Sequence, residues 1–481
     1  MATKRYLADD IVKLYSAGDS KTLVATLFWG DEVSEIGRRN GLPVFRLARA
    51  EWNEKRGDYE VVTQEVQPRK PPKFRKGSVL KVRFVDVGQG DGAMIETPRG
   101  QRLLVDGGEG PWFRRYIRVA YAYILKTKPL FCDAIVVTHG DADHYAGLTE
   151  LVNARLRNGS SLITAERVFH NGLVKSSSED VKRVFGKTAK VGKTTYVVDL
   201  EEDLLRVPAA RLNTPFRAWQ EALRRLKKNS GKLHVRRLAY GDGTAFDFLQ
   251  DDGLKVQVLG PIVEEVRGKP ALPFLKRPGT GSLSASHTIN GHSVVLKVSY
   301  GNVRFLLGGD LNEESEERLL AHSRERGDSL ASEVLKVPHH GSADFSPRAL
   351  EAIRPVVSVV SSGDETVAKE YIHPRAGLMG ALGKYSRATV DRPLVYATEM
   401  VAFFRRVKTA YEKLPRPDKE GNREREMRNA YEKKAFGIVH VRTDGERVLV
   451  ATHSGKDNQK ESYAFRVDER GDVRFEETAI L

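Results

Sequence analysis

Cysteine is almost missing from this chain of 481 residues: Cys132 stands alone. One thiol cannot form an internal disulfide, so no covalent staple supports the fold. Cys132 lies in the apolar stretch before the chemically richest loop and reads as a buried structural thiol. Missing too is any run of about 18 or more apolar residues, which excludes a recognisable membrane-spanning helix. The opening residues Met1 to Asp10 contain no apolar signal core. Together these absences point to the cytoplasm. With 40% hydrophobic residues, the chain can bury one large core and carry additions.

What is present is concentrated in Ile135-Val136-Val137-Thr138-His139-Gly140-Asp141-Ala142-Asp143-His144-Tyr145-Ala146-Gly147. The apolar residues before Thr138 read as a buried strand that stops at a sheet edge. His139, Asp141, Asp143 and His144 follow on one short loop, and Leu148 to Val152 carries a helical pattern. A turn between strand and helix lets these heads converge. Imidazole with carboxylate suits zinc, manganese or iron, whereas magnesium and calcium prefer oxygen shells. The alternative is a solvated loop that is polar by chance. Such dense packing of His and Asp behind an apolar strand argues against it.

His-x-Asp-x-Asp-His after a strand resembles the metal motif of the metallo-β-lactamase superfamily, whose commoner form has His in place of Asp141. The Asp variant is similar to the soluble hydrolase domain of ComEC-type DNA-uptake proteins. Phe84-Val85-Asp86-Val87-Gly88-Gln89-Gly90-Asp91, Leu306-Leu307-Gly308-Gly309-Asp310 and Leu335-Lys336-Val337-Pro338-His339-His340-Gly341-Ser342 match the same branch in the right order. The matches span roughly Leu80 to Thr452. The resemblance implies an α/β fold, an αββα sandwich preceded here by a small N-terminal module. It also implies two divalent metal ions, zinc or manganese.

By that resemblance His139 and Asp141 hold the first ion, Asp143 and His144 hold the second, and Asp310 bridges them. His339, directly after its strand, would close the second site. His340 would then contact phosphate or protonate a leaving oxygen. Asp143 serves both metal and catalysis, and Lys336 offers a point charge to phosphate unless it is a structural lysine. Asp86, Asp91 and Asp106 are expected to orient ligands rather than bind metal. His373, in a His-Pro pair, is expected to touch ligands or substrate. The remaining ligand of the first site stays open among His287, His292, Asn290 and the more distant His170.

Along the chain, residues 1–66 read as a small α/β module, with a helix opening at Asp10 to Tyr15 and strands after it. Residues 67–78 are proline-rich and basic and read as a stiff linker. Residues 79–455 form the expected hydrolase domain, with insertions at about 170–255 and 401–435. Strands are expected at Leu80–Val85, Ala93–Glu96 and Arg102–Val105, helices at Pro215–Lys228 and after Met400. A hairpin turning at Asp444-Gly445 follows, and residues 456–481 read as a strand extension.

Lysine and arginine number 79 against 64 acidic residues, a formal charge of +15. Such a balance attracts polyanions, nucleic acid first among them, although it also serves plain solubility. Arg224, Arg225, Lys227 and Lys228 at a helix end are candidate phosphate contacts, in competition with an ordinary solvated face. The sequence therefore points to a metal-dependent phosphodiester hydrolase, a nuclease acting on DNA or RNA. A hydrolase of small phosphodiesters, nucleotide signals or lactones is the alternative on the same fold. A non-catalytic metal-binding adaptor is the alternative of another class, with a protein partner held through residues 1–66.

Overall fold

The computed structural model describes residues 3–53, 58–251, 253–363, 373–388, 390, 393–399, 403–413, 425–435, 437–453 and 462–476. Residues 456–461 and 477–481 of the expected C-terminal extension lie outside them. The first sheet is built from β1 (Thr3–Leu7), β2 (Ile11–Ser16), β3 (Asp19–Phe28), β4 (Glu32–Arg39), β5 (Leu42–Asn53), β6 (Asp58–Pro68) and β7 (Phe74–Arg75). It is seven-stranded and antiparallel, in the order β3-β2-β6-β5-β4-β1-β7.

The helix expected at Asp10 to Tyr15 is strand β2 instead. Val12 and Leu14 are buried while their neighbours are not, a period of two that belongs to a strand. The N-terminal module is accordingly all-β and not α/β. Part of the expected linker is also sheet: β7 pairs with β1 at Tyr6–Arg75 and Leu7–Phe74. Arg69 stacks over the Tyr15 ring at 4.0 Å, and Arg75 over Trp29 at 4.8 Å. Asp31 docks this sheet on the next, 2.9 Å from Arg442 Nη1 and 3.4 Å from Lys81 Nζ. Burial opposes the Asp31 charge, but those two cations outweigh it and hold the carboxyl well below its ordinary range.

The remaining strands are β8 (Leu80–Val85), β9 (Ala93–Glu96), β10 (Arg102–Val105), β11 (Leu130–Val136), β12 (Ile163–His170), β13 (Thr188–Val191), β14 (Thr194–Val197) and β15 (His234–Arg237). Then come β16 (Leu254–Gly260), β17 (Glu264–Val266), β18 (Lys269–Pro273), β19 (Val295–Tyr300), β20 (Val303–Leu307), β21 (Val334–Lys336), β22 (Val357–Val360) and β23 (Leu394–Ala397). The last are β24 (Phe403–Lys413), β25 (Arg425–Ala435), β26 (Ile438–Thr443), β27 (Arg447–His453), β28 (Ser462–Val467) and β29 (Val473–Glu476). The charged segment expected as a helix after Met400 is the antiparallel pair β24–β25. Phe403, Phe404, Val407, Thr409 and Tyr411 are residues that favour strands, and they outweigh the charged positions between them.

A ten-stranded sheet, β15-β12-β11-β10-β9-β8-β26-β27-β28-β29, faces a six-stranded one, β16-β19-β20-β21-β22-β23. Leu80, Val82, Phe84, Leu103 and Val105 from the first meet Val256, Val258, Leu296, Val298 and Phe305 from the second. Each such side chain removed from water stabilises the sandwich by about 1.5–3 kcal/mol. Helices α1 (Trp112–Ala120), α2 (Ala122–Leu125), α3 (Ala142–Asn153) and α4 (Thr214–Ser230) belong to the first sheet, and Ile117, Leu148, Leu151, Trp219 and Leu223 bury against its outer face. Helix α5 (Ala285–Gly291) precedes β19, and α6 (Glu313–Arg326), α7 (Pro347–Ile353) and α8 (Ala376–Lys384) cover the other sheet through Leu319, Leu350 and Leu382. The layers are helix, sheet, sheet, helix, the sandwich expected from the sequence.

Strands β10, β11, β12 and β15 run parallel, and so do β20 to β23. A parallel block sends all its carboxyl ends to one edge, where open α/β sheets form their ligand sites. Here Asp106, the metal-type loop, Asp310 and the paired histidines all follow such ends.

Candidate metal centre

The loop after β11 runs straight into α3, so His139 sits on the loop while Asp143 and His144 occupy the first helical turn. Asp106 ends β10 with a left-handed φ of 57°. Gly308 and Gly309 carry the chain from β20 to Asp310. After β21, His339 and His340 are both left-handed, with φ of 48° and 52°. That turn points the two neighbouring imidazoles in different directions.

Asp310 is the point of convergence. Its Oδ2 lies 2.9 Å from His340 Nε2, 3.3 Å from His144 Nε2 and 3.9 Å from His139 Nε2. Asp143 reaches the same rings, with Oδ2 3.6 Å from His340 Nε2 and Oδ1 4.0 Å from His144 Nε2. Asp141 Oδ2 is 3.9 Å from His139 Nε2. The donor atoms of His139, His144 and Asp310 fall within 4.8 Å of one another, as do those of Asp143, His144 and His340.

The far side of each ring is tied down. His144 Nδ1 donates to Asp106 Oδ2 at 2.9 Å, and Asp106 also accepts from Thr138 N at 2.8 Å and Thr138 Oγ1 at 2.6 Å. His340 Nδ1 lies 3.0 Å from the Ser361 carbonyl oxygen and 3.2 Å from Asp91 Oδ1. Hydrogen bonds to such charged partners contribute about 1.5–3 kcal/mol each. A proton fixed at Nδ1 leaves Nε2 to face the cluster, which is how a metal-binding imidazole is prepared. Gly90 lets its loop close over Asp143: at its φ of 102°, any Cβ would overlap the Asp143 carbonyl oxygen.

A lone pair on each Nε2 pointed at a carboxylate is repulsive unless a proton or another cation stands between them. Burial disfavours charge on both rings, yet Asp310 and Asp106 raise His144 well above its ordinary value. Asp310 and Asp91 likewise raise His340 to about 10. The same carboxylates would hold a metal cation instead of those protons. The nitrogen and oxygen donors also fit a zinc- or manganese-type ion. The residues present therefore fit a metal centre.

Residues 85–156 match the family described as the metallo-beta-lactamase superfamily. The chain carries a metallo-beta-lactamase superfamily domain. Over 86 residues it is 41% identical to the competence protein ComA of Neisseria gonorrhoeae, covering 18% of this chain and 12% of that protein. Over 320 residues it is 22% identical to ComE operon protein 3 of Bacillus subtilis (strain 168), covering 64% of this chain and 31% of that protein. The chain thus spans less than a third of either relative's length. No described helix is long and apolar enough to cross a membrane. In the metallo-beta-lactamase domain the matched stretch holds Asp86, Asp91, Asp106 and the His139–His144 loop. Asp310 and His340 lie beyond it and are brought in by the opposite sheet.

Several expected roles change places. His340, not His339, reaches Asp143 and Asp310, because the left-handed pair turns the second imidazole inward. His339 stands aside, with Nε2 3.4 Å from the side-chain amide of Asn290 and its ring 6.0 Å from that of His373. Lys336 is not a phosphate contact on an open surface. It is buried, paired with Asp91, and donates to the Gly309 carbonyl oxygen at 3.1 Å. Asp91 is nearer the donors than expected, grouping with Asp310 and His340. Asp86 is buried and accepts from Gly88 N at 3.0 Å. Cys132 is fully buried, which pushes its thiol up to about 12.

Among the open candidates, Asn290 alone comes beside the cluster. With its amide oriented so that nitrogen donates, it lies 2.8 Å from Asp141 Oδ2. His292 Nε2 is 2.7 Å from the Pro273 carbonyl oxygen, and His170 Nδ1 accepts from Gly172 N at 3.0 Å. Burial lowers both to about 3, so both are neutral core histidines. His287 turns to Asp344 at 3.5 Å. The basic residues Arg224, Arg225, Lys227 and Lys228 are exposed but not at the centre. Phe216, near the start of α4, packs beside Gly140, and the basic end lies about 12–18 Å further along the axis. Sequence reasoning missed Lys175, which pairs with Asp141, and Gln89, whose Nε2 is 3.3 Å from Asp143 Oδ2. It also missed Ser293, whose Oγ accepts from Asp310 N at 3.1 Å and donates to the Asn290 carbonyl oxygen at 2.7 Å.

Proposed function

We propose that the chain is a metal-dependent phosphodiester hydrolase acting on nucleic-acid strands. The observation that carries this reading is the convergence of His139, His144 and His340 on Asp310 Oδ2, with Asp143 closing the same cluster. His139, Asp141 and Asp310 would hold one divalent ion, zinc or manganese; His144, Asp143, His340 and Asp310 would hold a second. Bound ions would supply a hydroxide near neutral pH and stabilise charge during displacement at phosphorus.

The chain's own residues prepare that chemistry. Asp106 and Thr138 fix the His144 ring, and Asp91 and Ser361 fix His340, so neither ring reorganises when charge develops. Lys336 neutralises Asp91 and keeps the acidic cluster from repelling itself. Asp143, partly exposed, marks the open side through which substrate would enter. The excess of lysine and arginine and the similarity to two competence-related proteins support a nucleic-acid substrate.

The test is hydrolysis of single-stranded DNA, duplex DNA, RNA, a cyclic dinucleotide and a simple lactone, each with manganese or zinc added. Cleavage of a strand, absent in Asp310→Asn, is the expected result. Turnover of the lactone alone would overturn the phosphodiester reading.

A further inference from the structure

The segment between β12 and β19 contributes a separate four-stranded sheet, in the order β13-β14-β18-β17. Leu173, Phe185, Val197, Leu272, Phe274 and Ile289 form its core. That core ends against the metal loop: a Cβ on Gly140 would stand 2.8 Å from Ile289 Cδ1. The same segment sends Lys175 to Asp141. One face of the small sheet, through that core, therefore backs onto the metal centre.

Its opposite face, which carries Ala189, Val198 and Val266, holds a cleft of about 620 Å³ lined also by Arg183, Lys187, Thr188, Arg267 and Lys269, with no acidic side chain in its lining. Such a volume is in the range of small-ligand sites. Arg183 has a partner, Asp180 at 3.4 Å. Lys187, Arg267 and Lys269 have no ion pair among the described residues. Arg267 sits at the tip of the β17–β18 hairpin with φ of 52°, followed by Gly268 at 73°. Asn or Gly is the usual choice at that first turn position, so hairpin geometry does not account for an arginine there. Cations of one sign crowded around a cleft repel each other and are balanced best by a polyanion.

We propose that this cleft binds the sugar-phosphate backbone of a single nucleic-acid strand, on the face of the small sheet turned away from the metal loop. The identity of the strand rests on the nuclease reading above. The α4 end is the control, because Arg224, Lys227 and Lys228 are equally charged and exposed but line no part of the cleft.

The experiment compares the wild-type chain with Lys187→Ala/Arg267→Ala/Lys269→Ala and with Arg224→Ala/Lys227→Ala/Lys228→Ala, each variant losing the same charge. Affinity for a fluorescent single-stranded oligonucleotide is measured by anisotropy in chelator from 50 to 200 mM salt, with thermal melting to confirm folding. For single strands each lost phosphate contact removes about 0.7 from the log–log salt slope, so the cleft variant should lose roughly 2 and bind on the order of 100-fold more weakly at low salt. The α4 variant should keep the wild-type slope. Equal weakening in both variants, or none in the cleft variant, overturns the cleft as the binding site. If the wild type still hydrolyses strands in that case, the nuclease reading stands without it. A wild type that neither binds nor cleaves any strand ends both.

Discussion

The metal centre and the basic cleft of the small sheet solve opposite electrostatic problems. At the centre, among the described residues, each nearby lysine is matched: Lys336 by Asp91, and Lys175 by Asp141. Carboxylates are still in excess there, with Asp106, Asp143 and Asp310 facing buried imidazoles. In the cleft, Lys187, Arg267 and Lys269 line an open space with no acid among them. The buried site is thus short of positive charge, and the exposed one is short of negative charge. Desolvation explains the difference, because a charge out of water must be paired while one in water need not be. One region is completed by a cation, the other by an anion.

The strongest way to break this comparison is to remove the central acid. Asp310→Asn keeps the shape but deletes the charge on which His139, His144 and His340 converge. Metal content should collapse, and turnover should fall by about 10³-fold or more, since a metal's charge stabilisation amounts to several kcal/mol. His340→Ala should lose metal with it, whereas His339→Ala should retain it. Elemental analysis and circular dichroism on all three proteins decide the matter. Full occupancy in folded Asp310→Asn would mean that the excess of carboxylates has another purpose.

Next in size is Lys336→Met, which leaves the buried Asp91 carboxylate without its cation. Breaking a buried pair in this way costs about 3–5 kcal/mol. Urea denaturation should report that loss, and Asp91→Leu added to it should recover part, because removing both charges is far milder than removing one. If Lys336→Met unfolds at the wild-type urea concentration, Lys336 is not matched by Asp91 in any energetic sense.

How much of this was legible in the sequence depends on how local each feature is. The His139–His144 loop declares itself because strand, turn and helix fit within a few residues of one another. Strands β8 to β10 are legible for the same reason, being short apolar-rich runs separated by turn residues such as Gly88, Gly90, Pro98 and Gly100. The choice between His339 and His340 is not local in that sense. It depends on two successive left-handed residues, and no side-chain pattern announces them. Lys175 was invisible because only the packing of the small sheet carries it to Asp141. Strand β2 is not legible because Asp10 to Tyr15 is too short to separate the two periods, and only the face presented to Phe45 and Val66 decides. Among the described residues none of His170, His287 and His292 joins His139 at the first position: Asn290 stands there, and its role is geometric, readable only in three dimensions.

A smaller effect is expected at Asp106→Asn. The amide oxygen can still accept from Thr138 N, but the charge that holds His144 Nδ1–H is gone. Partners of this kind are worth about 10–100-fold in metal affinity. Competition against a chromophoric chelator measures it. An affinity within twofold of wild type would show that Thr138 Oγ1, 3.3 Å from the same nitrogen, positions the ring alone.

The smallest effect tests the other side of the comparison. Because Lys187, Arg267 and Lys269 have no ion pair among the described residues and stand exposed in the cleft, removing them breaks no pair within the fold. Surface substitutions of this kind change stability by no more than about 0.5 kcal/mol. Relief of like-charge repulsion can even tip the sign toward stabilisation, more visibly at low salt where screening is weak. Replacing Arg267 by Gly or Asn should add to that gain, since either tolerates its left-handed backbone better than arginine does. Chemical denaturation of Lys187→Ala/Arg267→Asn/Lys269→Ala at 20 and 200 mM salt is the measurement, with stability equal to or above wild type at both. A loss of more than about 1 kcal/mol would mean that these cations hold the small sheet together and are not kept free for a ligand.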